Sequence, residues 1–455
     1  MLLFNIDMVY TRFLIPGLAA VLIWSGCQNV DRIANPGRPN IILIMADDLG
    51  YETISANGGT SYHTPEIDAM AREGIRFEHC YAQPLCTPSR VQIMTGIYNV
   101  RNYVRFGWLD TSQVTFGHLF QDGGYATCVV GKWQLGKEAD SPRKAGFDEH
   151  CLWQVQLGRA DATGRDTRFS MPVLETNGRI DTFSRNDYGP DIVCKYGLDF
   201  IERCSQEEKP FLLYYPMILT HCPFSSTPES ASWMSDDTTV MRYKGNPSYF
   251  PDMMAYTDRI IGRIKTKLKE LELYENTIII FTGDNGTDAP IVSELNGRSI
   301  AGAKGKSTDA GTRVPLFVQW PAEIEGGQNS ADLVDFSDVL PTICNTAGIS
   351  VPDSLNVDGY NFLPQFRGET DEPRRWIYNW YSRSGESEKA RVFARNKEFK
   401  LYDTGEFYHI PHDYLEEKPL DLNNLNDETE EVYFELEEVL ESYENRRLDA
   451  VSPDD

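Results

Sequence analysis

The segment from Asn40 to Ala46 is an almost unbroken apolar run, rich in isoleucine, that stops abruptly at Asp47-Asp48. A run apolar at both odd and even positions suits a strand covered on both faces, as in a parallel sheet flanked by helices. Similar runs recur at 125–130, 211–219, 277–281 and 314–320. Between them lie stretches of helical periodicity, clearest at 251–273, where Ile260, Ile261, Ile264, Leu268 and Leu271 mark one face. Strands alternating with helices imply an α/β fold on a doubly wound parallel sheet.

Sheets of this kind bind ligands beyond the carboxyl ends of their strands. Here those ends carry polar residues: Asp47 and Asp48 close one run, Gly131-Lys132 another and Thr220-His221 a third, and Asp284-Asn285 follows a fourth. Their convergence on one edge of an oily sheet describes a site rather than a core. Around 352–361 the pattern changes to short, alternating, aromatic stretches with Trp376, Tyr378, Trp380, Tyr381 and Phe393, which predict a small antiparallel sheet. An acidic terminal segment, 427–443, places Val432, Leu436, Val439, Leu440 and Tyr443 at helical spacing. The expected organisation is a leader over 1–27, a large catalytic unit over 38–350 and a smaller α+β subdomain over 351–455.

The formal net charge of −25 excludes a nucleic-acid partner, because neutralising phosphates takes clustered Lys and Arg. An anionic substrate then needs a locally positive site set in an acidic surface. At the start of the chain, Arg12 precedes an apolar stretch, 13–24, followed by Ser25-Gly26-Cys27, too short to span a bilayer. This predicts export to the periplasm or cell surface, and the small residues before Cys27 resemble a bacterial lipoprotein processing site, with Cys27 as the lipidated residue and the only link to a membrane. Of the nine cysteines, those other than Cys27 and Cys86 match neither a disulfide framework nor a zinc pattern and read as small buried hydrophobes.

Cys86-Thr87-Pro88-Ser89-Arg90, followed by Met94-Thr95-Gly96, resembles the formylglycine motif of type I sulfatases, members of the alkaline phosphatase superfamily. Pro88 suits the first turn of a helix, which puts residue 86 at a helix N-terminus. Further elements follow in the family's order: Asp47-Asp48 and Asp284-Asn285 resemble its metal ligands, Lys132 and Lys304 its sulfate-contacting lysines, and His221 the histidine that assists the leaving oxygen. The resemblance implies a large mixed, mostly parallel sheet sandwiched by helices, with a smaller C-terminal antiparallel sheet and helix. It also implies sulfuric ester hydrolysis by a formylglycine made from Cys86, and a Ca²⁺ (Mg²⁺ being the alternative) held by Asp47, Asp48, Asp284 and Asn285 with residue 86. Oxygen donors of this type suit a hard cation.

The implied catalytic set is Cys86, Arg90, Lys132, His221 and Lys304. Lys132, Gln134, His221, Lys304 and Arg298 would contact a sulfated small molecule or glycan, and a formylglycine-generating or anaerobic sulfatase-maturing enzyme would be the protein partner. Gln134 stands where many sulfatases have histidine, and glutamine cannot act as a base near neutral pH. Asp309 likewise replaces the usual glutamate. His63 and Arg105 lie in loops near the motifs, where solvation competes with substrate contact. Trp108 and Tyr103 could stack on a sugar or pack locally, and His118, in an apolar helix, reads as core. Two rival functions fit the same residues: a phosphate or phosphonate ester hydrolase, and a lipoprotein that binds sulfated glycans without turnover.

Overall fold

The computed structural model describes residues 37–233, 244–369 and 373–447, and the described residues from 38 onward form one compact unit. The leader and Cys27 lie outside the described residues. The first strands are β1 (Asn40–Ala46), β2 (Ile75–Tyr81), β3 (Ala126–Lys132), β4 (Glu149–Trp153), β5 (Val173–Thr176), β6 (Arg179–Thr182), β7 (Phe211–Pro216) and β8 (Thr277–Gly283). A hairpin, β9 (Val292–Leu295) and β10 (Arg298–Ala301), precedes β11 (Arg313–Gln319) and β12 (Gln328–Asp335). The last four, β13 (Ile377–Tyr381), β14 (Arg391–Arg395), β15 (Phe399–Tyr402) and β16 (Phe407–His409), form a separate antiparallel sheet.

The large sheet runs β12-β2-β11-β8-β1-β7-β3-β4-β5-β6, with β8, β1, β7, β3 and β4 mutually parallel at its centre. The run at 314–320 corrects a fully parallel reading, because β11 is antiparallel to both β8 and β2. An apolar run reports burial on both faces and carries no information about direction. In β1, Ile41, Leu43 and Met45 enter one hydrophobic core while Ile42, Ile44 and Ala46 enter the other. The same period-2 split divides Leu212 and Tyr214 from Phe211, Leu213 and Tyr215 in β7. Each such side chain contributes about 1.5–3 kcal/mol when fully buried, so the strand must lie between two layers.

One layer includes the helices Pro65–Glu73, Gly189–Gln206 and Phe250–Glu270, the last matching the periodic segment at 251–273. On the other face lie the helices Cys86–Thr95 and Val339–Thr346, and the terminal helix Asp427–Tyr443 shares that core through Leu436 and Val439. Tyr378, Trp380, Ala394, Leu401 and Phe407 of the small sheet belong to the same core. All cysteines among the described residues are buried and free, as a set of small hydrophobes would be.

Candidate active site

The chemistry-bearing side chains meet because the central strands end at one level. Beyond β1 and β7 the ladder continues irregularly: Asp47 N–H donates to Leu219 O and Thr220 N–H to Asp47 O, each at 2.8 Å. This brings His221 beside the Asp47-Asp48 pair. On the other side of β1, Asp284 N–H donates to Ala46 O at 2.9 Å, and Asp48 N–H donates to the Asp284 carboxylate at 2.9 Å. Asp48 sits at φ 62°, in the left-handed region, a local strain that turns its carboxylate inward. Two glycines permit the approach. A Cβ at Gly283 would lie 1.9 Å from Leu49 O, and one at Gly131, whose φ is 116°, would lie 2.0 Å from Pro216 O.

The helix Cys86–Thr95 is buried at every position. Its sequence is explained by what each side chain holds. Ser89 Oγ accepts from Gln83 N–H at 3.0 Å and Thr87 Oγ1 accepts from Gly107 N–H at 3.1 Å, tying two loops to the helix start. Arg90 donates to the carbonyls of Lys132 and Trp133 at 3.2 and 3.1 Å, and its guanidinium lies 3.4 Å from Asp284 and 3.9 Å from Asp47. Cys86 opens the helix, with its thiol donating to Gln134 Oε1 at 3.3 Å.

Every charge in this nest has a partner of opposite sign. Lys132 Nζ is 2.7 Å from Asp47 and Lys304 Nζ 2.6 Å from Asp48, while His221 Nε2 is 3.6 Å from Asp48. Burial would raise the Asp47 carboxyl, but Lys132 above all, helped by Arg90 and Lys304, holds it far below the usual carboxylate range. Asp284 goes the other way, pushed up to about 8 by burial and by the adjacent Asp47 charge. Burial and the Lys304 ammonium depress His221 well below an ordinary imidazole, and Lys304 itself is raised, since the Asp48 and Asp47 charges outweigh its burial.

Asp47, Asp48 and Asp284 are at most 1% exposed, and three buried carboxylates repel each other in low dielectric. Two sets of donor atoms lie within 4.8 Å of one another: Asp47, Asp48 and His221, and Asp47, Cys86 and Asp284. Asn285 Nδ2 donates to Asp48 at 2.9 Å, and its Oδ1 is buried and without a hydrogen-bond partner. Arg90 Nε is also buried and unpartnered. An orphaned oxygen beside three carboxylates is what a hard divalent cation satisfies, so the residues fit calcium or magnesium.

Cys86, Lys132, Gln134, His221 and Lys304 line one cleft of about 300 Å³. Arg298 is not among them: it is exposed at the start of β10 and borders a different cleft with Tyr51, His79 and Arg313. A loop position near a motif in sequence says little about which side of the sheet the side chain reaches. His118 is not core either; it is half-buried and closes a capping box with Thr115 at a helix start. Tyr103 is buried and donates to Arg383 O at 3.1 Å, so it packs locally. Sequence reasoning missed Gln154, Arg159, Arg168 and Arg383, which also line the catalytic cleft. Arg168 is bound to Asp166 and lies 2.6 Å from His221 Nδ1, with its guanidinium over the Trp153 ring at 4.2 Å. The one signal available was Trp153-Gln154 at the end of β4, the neighbour of the Lys132 strand.

The Lys304 loop is clamped from the C-terminal sheet. Asp309 pairs with the buried Arg395 of β14, Lys400 of β15 donates to Ser307 O, and Ser307 Oγ is 2.8 Å from the Tyr402 hydroxyl. The shorter Asp309 is therefore held by a dedicated arginine, whose charge keeps it ionised against the burial that would raise it.

A carboxylate nest crossed by ammonium groups, at the strand ends of a mixed sheet, defines a hydrolase of anionic esters. The comparisons narrow this class. The sulfatase family model matches residues 39–349, and the model described as N-sulphoglucosamine sulphohydrolase, C-terminal, matches 306–446. The chain belongs to the sulfatase family, whose members are sulfuric ester hydrolases. It is 31% identical to N-acetylgalactosamine-6-sulfatase of Canis lupus familiaris over 375 residues, covering 74% of this chain and 68% of that one. It is 28% identical to arylsulfatase G of Mus musculus, covering 81% and 76%. Among solved structures it resembles Ps i-CgsB in complex with k-i-k-neocarrahexaose, with TM-score 0.74 and 25% identity, covering 91% of this chain and 94% of that one. A phosphonate monoester hydrolase of Agrobacterium radiobacter shares the fold, with TM-score 0.68 at 20% identity over 90% and 96% of the two chains.

Proposed function

We propose that the protein releases sulfate from sulfated carbohydrates, with a calcium ion held by Asp47, Asp48, Asp284 and Asn285 and with Cys86 converted to formylglycine by a maturing enzyme. The observation that carries this reading is the placement of the Cys86 thiol among metal-ligand carboxylates, in a cleft walled by Lys132 and Lys304. Relatives named for N-acetylgalactosamine 6-sulfate, and a similar structure holding a carrageenan oligosaccharide, support a carbohydrate substrate.

The chemistry these two groups supply is Lewis-acid charge at the sulfate oxygens and a hydrated aldehyde, with one hydroxyl to attack sulfur and another to expel the sulfate. The chain's own residues do the rest. Lys132 and Lys304, at 1% and 14% exposure, place partly shielded ammonium charge where negative charge gathers in the transition state. Lys304 keeps its proton and His221 stays neutral, so the departing alcohol oxygen takes its proton from Lys304 while His221 offers a hydrogen bond. Arg90 fixes the backbone at 132–133 against the helix that carries residue 86. Gln134 orients residue 86 by a hydrogen bond but takes no proton.

The reading includes export and a lipid anchor at Cys27, and no described helix is long and apolar enough to cross a membrane. The test is co-expression with a maturing enzyme, mass analysis of the peptide bearing residue 86, and sulfate release from sulfated mono- and oligosaccharides. Full activity in Cys86→Ala would refute the mechanism; phosphate esters cleaved in preference to sulfate esters would refute the substrate class.

A further inference from the structure

Glu52 is a buried acid that no ion pair explains. It is 3% exposed, and among the described residues no cation pairs with it. Burial raises its carboxyl, and what offsets this is hydrogen bonding, from Thr287 and from its own backbone N–H. An acid placed in the interior without a counter-charge is costly, and the hydrogen bond to Thr287 is what the cost sustains.

Thr287 is fully buried, and its hydroxyl accepts from Gly50 N–H at 3.1 Å. A hydroxyl has a single hydrogen, and Thr287 gives it to Glu52 Oε1. The Thr287 backbone oxygen accepts from Lys304 N–H at 3.0 Å, and the next residue, Gly305, donates its N–H to Pro84 O at 2.8 Å, just ahead of Cys86. Thr287 thus joins the turn after Asp47-Asp48, the turn after Asp284-Asn285 and the backbone of Lys304. Glycine at position 50 makes room for the acid, since a Cβ there would lie 2.4 Å from Glu52 Oε2. The clamp from the C-terminal sheet grips the Lys304 loop at Ser307 and Asp309, whereas Thr287 grips it at Lys304 itself. Neither Glu52 nor Thr287 lines the catalytic cleft, so what they do for the reaction passes through other residues.

We infer that Glu52 and Thr287 are positioning residues for the sulfatase reaction. Glu52 fixes the Thr287 hydroxyl, the hydroxyl holds the turn that follows the Asp47-Asp48 pair, and the Thr287 carbonyl holds the Lys304 backbone so that its ammonium reaches Asp48 and the substrate. This rests on the sulfatase reading and extends it from the groups that meet sulfate to those that aim them. Misplacing a reacting group by about 1 Å costs on the order of 10²-fold in rate, and partners behind metal ligands are worth about 10–100-fold in affinity or activity.

The test uses the matured enzyme at saturating calcium, with N-acetylgalactosamine 6-sulfate, galactose 4-sulfate and glucosamine 6-sulfate, and with 4-nitrophenyl sulfate, whose phenolate departs without a proton. Thr287→Val keeps the shape and the carbonyl but removes the hydroxyl, and Glu52→Met removes the acceptor at similar length. In each, kcat for the best of the sulfated sugars should fall about 10–100-fold, against about threefold or less for 4-nitrophenyl sulfate, because proton donation by a misaimed Lys304 matters only to the sugar. KM should change little. Thr287→Ser and Glu52→Gln keep the hydrogen bonds and should recover most of the rate. If Thr287→Val does not fold, Glu52→Met decides. A merely structural role gives a lower Tm with kcat unchanged, an equal loss on both kinds of substrate, or no recovery in the conservative variants, and each of these overturns the inference. Failure of the sulfatase reading looks different: the native enzyme releases sulfate from none of the sugars. The inference is then judged by calorimetric titration with calcium. Affinity weakened about tenfold in Thr287→Val and regained in Thr287→Ser supports it, and unchanged affinity, or no binding to the native protein, overturns it.

Discussion

Three carboxylates share one dry nest, yet only Asp47 and Asp48 have an ammonium group within 3 Å. Asp284 has the Arg90 guanidinium at 3.4 Å and, without a cation, a carboxyl pushed up to about 8 by burial and the Asp47 charge. An unfolded aspartate titrates near 3.8. The metal-free folded protein therefore holds a proton at Asp284 that the unfolded chain has lost, over a window from about pH 4 to 8. Stability is full below that window and falls as pH rises through it, by up to about 5 kcal/mol. Asp47 is displaced downward, so its contribution changes only below pH 4, outside the window. A bound divalent cation replaces the proton and removes the loss. For a unit of this length, about 5 kcal/mol corresponds to roughly 6 °C in Tm. Thermal scans in chelator and in millimolar calcium should nearly coincide at pH 5 and separate progressively to pH 8. Asp284→Asn should remove most of the calcium effect and flatten the slope in chelator, leaving the part contributed by Asp48, Asp258 and Asp335, whose carboxyls burial also raises. A calcium-dependent gap of equal size at pH 5 and pH 8 would refute the argument.

Three further outcomes follow from the same contacts. Lys304→Ala removes both the proposed proton donor and the Asp48 partner, and kcat for a sulfated sugar should fall by about 10²–10³; a change confined to KM would contradict the assigned role. Gln134→Ala removes one hydrogen bond to residue 86 and should cost only about tenfold in turnover, far short of the 10²–10⁴ expected for loss of a general base, as steady-state kinetics will show. Arg395→Met leaves the half-buried Asp309 without its closest partner and should destabilise the fold by about 1–3 kcal/mol in denaturant titration, with turnover reduced because the Lys304 loop loses its clamp.

How far the sequence led depended on whether a residue's role was written in its immediate neighbours. The run Asn40–Ala46 appears as β1 with the same bounds, since a strand sealed on both faces has no freedom in composition. Asp47, Lys132 and Asp284 were legible because polar residues directly after or at the end of such runs fall at the edge where central strands stop together. The antiparallel course of β11 was not, because strand direction depends on the path of the connections rather than on side chains. Arg168 reaches the cleft from a stretch without a strand end or motif and Arg383 from just past β13, in the other sheet, and only the folded chain shows that Arg168 meets His221. Arg298 failed for the converse reason: closeness to Lys304 along the chain does not survive the hairpin β9–β10, which carries it to another cleft.

The clamp formed by Arg395, Lys400 and Tyr402 on the Lys304 loop ties the last quarter of the chain to the proposed sulfate site. The side chains proposed to act on sulfate precede residue 310, and Arg383 of the same cleft precedes β14, so a version stopped before β14 would keep the whole reactive set and lose the brace that aims one of its two ammonium groups. Damage far downstream, in strands that carry no reactive group, should thus cost rate as well as stability. A library screened for turnover would find its distant sensitive positions there.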